Sequence, residues 1–432
     1  MRSSDLAGLR VAILGVGREG AAAIRALSPI AASLVGTSDS AAPEVGIPVL
    51  VAPDASELHV DVAIKSPGIS PRHPLVAGLR ARGIPVTSGT DLWMGEHADR
   101  VTGVTGSKGK STTSALIHAL TPGSVFGGNI GLPLLALEPA QRYVVELSSY
   151  QCQSLTTSPD VAVVTSLFAE HLDWHGSAEQ YFTDKLNIVR HGARRVIANG
   201  EDALLREWLG REHVDVQWIG GDGDYRIADD HLMRRGERIL AVPDLPLRGR
   251  HNALNALIAL AAADAAATGE VTADAAAAAL RGFTPLEHRL EPIADPSGVT
   301  FIDDSLSTSP FAAMEALKAF AGRDVVLLVG GQDRGVDYTP LGEYLASHPI
   351  AGVVGLPPSG PRILREITGT PTEVATDMAD AVAWARELVP AGGTVLLSPA
   401  APSYGIYRDF ADRADDFRRA IAATSTTPEE IP

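Results

Sequence analysis

The sequence predicts an α/β fold of three units, each a mostly parallel sheet flanked by helices. Three observations predict it. Short apolar runs of strand length alternate with helical patterns along the chain. The polar, glycine-bearing motifs follow directly on those runs, at the carboxyl ends of strands, where parallel sheets bind ligands. And 432 residues exceed what a single hydrophobic core usually organises. Boundaries are placed near 98 and 290, giving units 1–98, 99–290 and 291–432.

In the first unit RVAILG (10–15) is a buried strand, GVGREG (15–20) a tight turn and AAAIRAL a helix. AIKSPGIS (63–70) adds a strand that ends in a Pro-Gly turn. The second unit opens with RVTGV, the glycine loop TGSKGKST (105–112) and the helix TTSALIHAL. RYVVELSS (142–149) and DVAVVTSL (160–167) are further buried strands, and the Ala-rich stretch 249–283 has high helix propensity. In the third unit the strands are VTFID (299–303), DVVLLVGG (324–331), IAGVVGL (350–356) and TVLLSP (394–399).

Charge and composition exclude several classes. A net charge of −16 repels a polyanion, so broad nucleic-acid binding is not expected. Cys152 is the only cysteine, which rules out an intrachain disulfide and a thiolate metal cluster and fits a reducing compartment. The start MRSSDLAGLRVAILGVG lacks the basic, apolar and cleavage regions of a signal peptide, and no window approaches 18 unbroken apolar residues. A cytoplasmic protein without membrane insertion is expected.

Two loops have the form of phosphate cradles. GVGREG fits G-x-G-x-x-G between strand and helix, a pattern that receives phosphate at a helix N-terminus and equally serves as a plain tight turn. TGSKGKST is the more specific. It is a shortened phosphate loop, T-G-x-x-G-K-S-T, because Val104 stands where the strict motif wants glycine. Thr105, Gly106, Ser107, Lys108, Gly109, Lys110, Ser111 and Thr112 are its candidate ATP contacts. The glycines free backbone N–H groups, Lys110 supplies charge near the terminal phosphates, and the Ser111 hydroxyl suits Mg²⁺. Glu146 ends a buried strand, where an unpaired carboxylate is costly and a cation is its natural partner. His171 and the helical Lys185 complete the candidate catalytic set, although His171 taken alone reads equally as a structural histidine.

Taken together, TGSKGKSTT, GGNIGLPLL (127–135), ELSSYQ (146–151), HLDWHG (171–176), TDKLNI, GRHNALNAL (249–257), EHRLE (287–291), DDSLSTSP (303–310), GGQDRGVDY (330–338) and LLSPAAPSYG (396–405) resemble the Mur ligases across essentially the whole chain. These are the ATP-dependent amide-forming enzymes of cytoplasmic peptidoglycan precursor synthesis, and the glutamate-adding members are the most similar. The resemblance implies a Rossmann-like UDP-binding domain, a central P-loop ATPase-like domain and a Rossmann-like C-terminal domain. It implies UDP-N-acetylmuramoyl-L-alanine and glutamate as substrates, with Gly17, Arg18, Ser66, Pro67, Gly68 and Asn129 on the UDP-sugar side. Glu19 stands where a small hydroxyl residue is more usual and is expected to turn away from a diphosphate. ATP and two Mg²⁺ ions are implied, with Ser111 and Glu146 on one ion, His171 on the other and Lys185 carbamylated beside them. Asn252 and Asn255 are implied near adenine, and Arg289 and Asp304 as ATP contacts. A monomer is expected.

The third unit departs from the common pattern. Where the D-glutamate enzymes usually read D-S-K-A-T-N, this chain reads Asp304-Ser305-Leu306-Ser307-Thr308-Ser309, and a second basic position holds Arg334. Arginine does not replace lysine neutrally. Thr308, Arg334 and Ser403 are candidates for gripping glutamate, helix capping being the competing role for Thr308 and Ser403. The motif forms resemble the branch that adds L-glutamate, with D-glutamate as the alternative. A folylpolyglutamate-synthetase-like ligase shares the ATP loop but not the first unit, and an oxidoreductase leaves TGSKGKST, Glu146 and Lys185 without a role.

Overall fold

A computed structural model describes residues 1–39, 44–247, 249–266, 271–284, 287–333, 336–389, 392–403 and 405–425. The chain divides into two compact units, Met1–Thr284 and Pro285–Pro432.

The first unit contains two parallel sheets. One has five strands in the order Val49–Val51, Ser33–Ser38, Arg10–Leu14, Val62–Lys65, Val86–Ser88. The other has six, in the order Val216–Ile219, Arg195–Asn199, Val161–Val164, Val101–Thr105, Tyr143–Glu146, Val125–Gly128. Strands 62–65, 101–105, 143–146 and 161–164 are buried throughout, as mostly apolar strands of a parallel sheet are, with Lys65 and Glu146 as buried charges at two of their ends. The expected strands and the helices Arg18–Leu27 and Lys110–Leu120 are all present.

Two features go beyond the sequence reading. The Ala-rich stretch is helical as expected but forms two helices, Arg250–Ala266 and Ala273–Arg281, and Thr272 caps the second by accepting from Ala275 N. A three-stranded antiparallel meander, Tyr225–Ala228, His231–Arg234 and Glu237–Ala241, was not anticipated. Its two-residue turns, Asp229-Asp230 and Arg235-Gly236, have positive φ at every position (47°, 54°, 50° and 87°), the type I′ geometry that matches strand twist. The signal was present, but the strands are four or five residues long and alternate weakly.

The second unit is a six-stranded sheet in the order Glu291–Ile293, Thr300–Asp303, Thr394–Leu397, Val325–Gly330, Gly352–Leu356, Thr372–Val374. Only the edge pair 291–293/300–303 is antiparallel. Apolar side chains fill both faces, Phe301 and Phe417 on one and Leu327 and Leu396 on the other. Among the described residues, no helix is long and apolar enough to cross a membrane.

Candidate functional site

Strand Val101–Thr105 runs into the glycine loop and then into helix Lys110–Leu120, whose cap is Gly109 at φ +83°. Gly106 has φ +148°, a conformation essentially closed to other residues, and a Cβ there would overlap Thr165 Oγ1. The loop is held from below. Ser107 Oγ donates to Phe168 O (2.7 Å) and lies 3.0 Å from Tyr181 Oη, while Lys108 N donates to Ser166 Oγ (2.8 Å). The Ser107 and Lys108 N–H groups are therefore spent on the protein, Ser107 N going to Ser166 O (2.9 Å). The N–H groups left for an anion are those of the helix N-terminus beyond them, with Lys110, Ser111 and Thr112 in its first turn. Lys110 Nζ curls back to Gly106 O (2.9 Å) and Ser107 O (3.1 Å). Asn255 is brought against the loop, since a Cβ on Gly109 would stand 2.8 Å from its Oδ1, and its Nδ2 reaches Asn252 Oδ1 at 3.3 Å.

Glu146 supplies the test of metal fit. It is 1% exposed at its strand end. Oε1 accepts from Asn129 Nδ2 (2.6 Å), whereas Oε2 is buried with no hydrogen-bond partner. Such an orphaned carboxylate oxygen suits a divalent cation. Lys185, also 1% exposed, donates from Nζ to Gly106 O (2.8 Å). Burial first, then the neighbouring Lys110 charge, pull its pKa down to about 7. His171 takes a left-handed backbone, φ +55°, ahead of the short helix Leu172–His175, and its ring centroid lies 5.1 Å from that of Tyr150. Glu170, which sequence reasoning passed over, pairs with Lys108 Nζ at 3.1 Å. Burial alone would raise its pKa; Lys108, Lys110 and His171 outweigh that and hold it at about 2. Its only sequence signal is its place beside His171.

The first glycine turn opens on a cleft of about 290 Å³. Gly17, Arg18, Ser66, Pro67, Gly68 and Asn129, the expected UDP-sugar residues, all line it. Arg18 spans to Asn129 O and Gly131 O (both 3.2 Å), and Ser66 Oγ donates to Gly15 O (2.7 Å). Asn129 therefore faces the cleft and also holds Glu146. Ser148, Tyr150 and Gln151, from the segment after Glu146, complete the wall and were not singled out in the sequence. The expectation for Glu19 is corrected: it lines the cleft rather than turning away. Burial raises its carboxyl pKa, and the neighbouring Arg18 guanidinium opposes that shift.

In the second unit Asp304 is fully buried and accepts from Ser398 Oγ (2.8 Å) and from Ser307 Oγ. Burial raises its pKa and Arg289 opposes that, so these two expected ATP contacts are electrostatic neighbours. Thr308 is exposed and Ser403 buried. Neither is a helix cap: Ser309 caps Pro310–Lys318 and Asp409 caps Phe410–Thr424. Arg334 lies outside the described residues. Sequence reasoning missed Arg413, a buried guanidinium that donates to Gly330 O (3.3 Å), Ala401 O (3.0 Å) and Ser305 O (2.8 Å). It ties the end of strand Val325–Gly330 to the segments that follow Thr394–Leu397 and Thr300–Asp303 in the same sheet.

Residues 104–263 match the Mur ligase middle domain, and residues 288–401 match the Mur ligase, glutamate ligase domain. A UDP-N-acetylmuramoyl-L-alanine–L-glutamate ligase from Micromonospora sp. is 48% identical, covering 99% of this chain and 100% of the relative. Its counterpart from Salinispora tropica is 46% identical over 98% and 100%, and that from Xanthomonas axonopodis pv. citri 38% identical over 96% of each. Among solved structures, MurF ligase from Thermotoga maritima in complex with ADP superposes with a TM-score of 0.63 at 18% identity, covering 98% of this chain and 97% of that one.

Proposed function

The chain belongs to the Mur ligase family, and on that premise we propose that it joins L-glutamate to UDP-N-acetylmuramoyl-L-alanine, converting ATP to ADP and phosphate. Near-half identity along the whole length to a ligase of that specificity carries the reading. The reaction has two steps. An oxygen of the L-alanyl carboxylate attacks the γ-phosphorus of ATP, and ADP leaves. The amine of glutamate then attacks the resulting acyl phosphate, forming the amide as phosphate departs and the nitrogen loses a proton.

The chain's own residues act mainly by positioning and by neutralising charge. The cleft walled by Gly17, Arg18, Ser66, Pro67, Gly68 and Asn129 takes the UDP-sugar. The helix N-terminus with Lys110, Ser111 and Thr112 takes the triphosphate, with Asn252 and Asn255 toward adenine and Arg289 and Asp304 as further contacts. Thr308, Arg334 and Ser403 serve the incoming glutamate. Mg²⁺, two ions in this reading, supplies charge neutralisation at the triphosphate when bound; Ser111, Glu146 and His171 are its protein groups, and the orphaned Glu146 Oε2 supports that assignment. Lys185 carries a carbamate. With its pKa at about 7, much of the amine is unprotonated near neutrality and free to add CO₂. We take 1–98, 99–290 and 291–432 as the UDP-sugar, ATP and amino-acid domains of a cytoplasmic monomer; the activated UDP-linked substrate fits that location.

Phosphate release from ATP tests the whole reading. It is expected only when UDP-N-acetylmuramoyl-L-alanine and L-glutamate are both present. Equal or faster release with D-glutamate overturns the stereochemical assignment, and release that ignores the UDP-sugar overturns the function.

A further inference from the structure

Close in sequence to three of the candidate cation groups lies a buried chain of three polar side chains that no step above uses. His175 Nδ1 is 2.7 Å from Asp184 Oδ2, and His175 Nε2 is 3.0 Å from Ser149 Oγ. Gln180 Nε2 steadies the other carboxylate oxygen at 2.8 Å. The His175 side chain is 0% exposed, so this is interior, not a solvated surface pair. The imidazole thus has a hydrogen-bonding partner at each ring nitrogen, a carboxylate oxygen at Nδ1 and a hydroxyl at Nε2.

The arrangement looks like a nucleophilic triad, but Ser149 is buried and is not among the residues lining the cleft, so acyl transfer is not its role. What distinguishes it is where its members lie. Ser149 follows Glu146 by three residues, His175 follows His171 by four, and Asp184 precedes Lys185. Three of the four segments that carry a candidate metal-site group thus contribute one member each; only that of Ser111 does not. A further tie runs through Tyr150, next to Ser149, whose ring packs against those of His171 (5.1 Å), Trp174 (4.5 Å) and His175 (5.6 Å).

Burying these groups brings little net stability, since an apolar cluster of the same shape would serve as well. An imidazole with two directional bonds does what an apolar contact cannot: it sets the angle and spacing of three chain segments at once. We propose that Ser149, His175 and Asp184 are a positioning triad that holds Glu146, His171 and Lys185 in mutual register for divalent cations. The proposal rests on the cation site of the function above and adds residues that act only through others.

Three variants of the full chain, Ser149→Ala, Asp184→Asn and His175→Gln, and the double variant Ser149→Ala/Asp184→Asn test it. Mn²⁺ serves as a paramagnetic probe, its binding read by electron paramagnetic resonance with ADP present and no turnover. Partners behind a metal ligand typically change affinity by about 10- to 100-fold, and a loss of that order is expected for Asp184→Asn and His175→Gln. The Michaelis constant for L-glutamate should stay within about twofold, because the triad touches none of that pocket. The double variant should be no weaker than the worse single one, since both changes act through His175. Unchanged Mn²⁺ affinity in variants that unfold at the wild-type temperature overturns the proposal, as does strict additivity. Should the His175 and Asp184 variants fail to fold, Ser149→Ala decides: it deletes one hydroxyl, and wild-type Mn²⁺ affinity there refutes the triad. A wild-type chain that binds Mn²⁺ with ADP but makes no amide would sink the function and leave the triad standing.

Discussion

Replacing Lys65 with methionine should make the protein more stable, and the gain should fade as pH rises. Lys65 ends strand Val62–Lys65, directly before the Ser66-Pro67-Gly68 wall of the cleft, and is 1% exposed. Among the described residues its Nζ has no hydrogen-bond partner; it lies 5.5 Å from the Trp174 ring. Burial, followed by repulsion from Arg80, lowers its pKa from 10.5 to about 8. At about 1.4 kcal/mol per tenfold change in proton affinity, holding the ammonium inside costs about 3 kcal/mol. The indole face returns roughly 0.5–2 kcal/mol of that. Below pH 8 the group is charged both folded and unfolded, so the full cost applies. Between about 8 and 10.5 the folded chain has shed the proton while the unfolded chain keeps it, so stability rises with pH and the cost shrinks. Lys65→Met keeps the side-chain length and removes the charge. Urea unfolding followed by tryptophan fluorescence should show the variant about 1–3 kcal/mol more stable at pH 7 and about half that at pH 9.5. A less stable variant at pH 7, or a difference that does not change with pH, would refute the reasoning.

Lys110→Ala should leave unfolding within a few degrees of wild type yet lower turnover about 30- to 1000-fold, the loss expected for one charge contact on a transferring phosphoryl group; steady-state phosphate release checks it. Gly106→Ala should both destabilise and inactivate. Forcing a side chain to φ +148° costs on the order of 1–3 kcal/mol before the overlap with Thr165 is counted, and the loop must move off Ser166. ADP titration calorimetry should show weakened binding, and wild-type affinity would contradict the cradle geometry. Arg413→Met should destabilise the second unit by about 3–5 kcal/mol, because three buried carbonyls lose a shared donor. Its Michaelis constant for L-glutamate should rise as the loops loosen; limited proteolysis and kinetics on the full chain check both effects.

Much of the site was legible because its parts are local. The two glycine turns carry their chemistry in consecutive residues between an apolar strand and a helix, and the structure sets them as that pattern dictates. All six residues expected on the UDP-sugar side line one cleft for the same reason, five of them lying in just two turns, GVGREG and the Pro-Gly turn after strand Val62–Lys65. The meander escaped because its strands are short and its turns use Asp-Asp and Arg-Gly in place of the strongest hairpin pairs. Charge alone argued Glu19 away from the cleft, whereas its place in the first turn of helix Arg18–Leu27, next to Gly17 and Arg18, sets it among the lining residues.

What the chain order by itself determined is the strand–loop–helix alphabet: which runs bury, where the backbone must turn left-handed, and hence where loops of phosphate-cradle form arise. Only the tertiary structure decided the partners that aim these loops. Asn129 meets Glu146 across 17 residues, His175 meets Ser149 across 26, and Arg413 reaches Ser305 across 108. Elements arise from forces between near neighbours and are written in local periodicity. Contacts of this second kind exist only once the sheets have stacked and left particular polar atoms without water, and no local pattern records which atoms those will be.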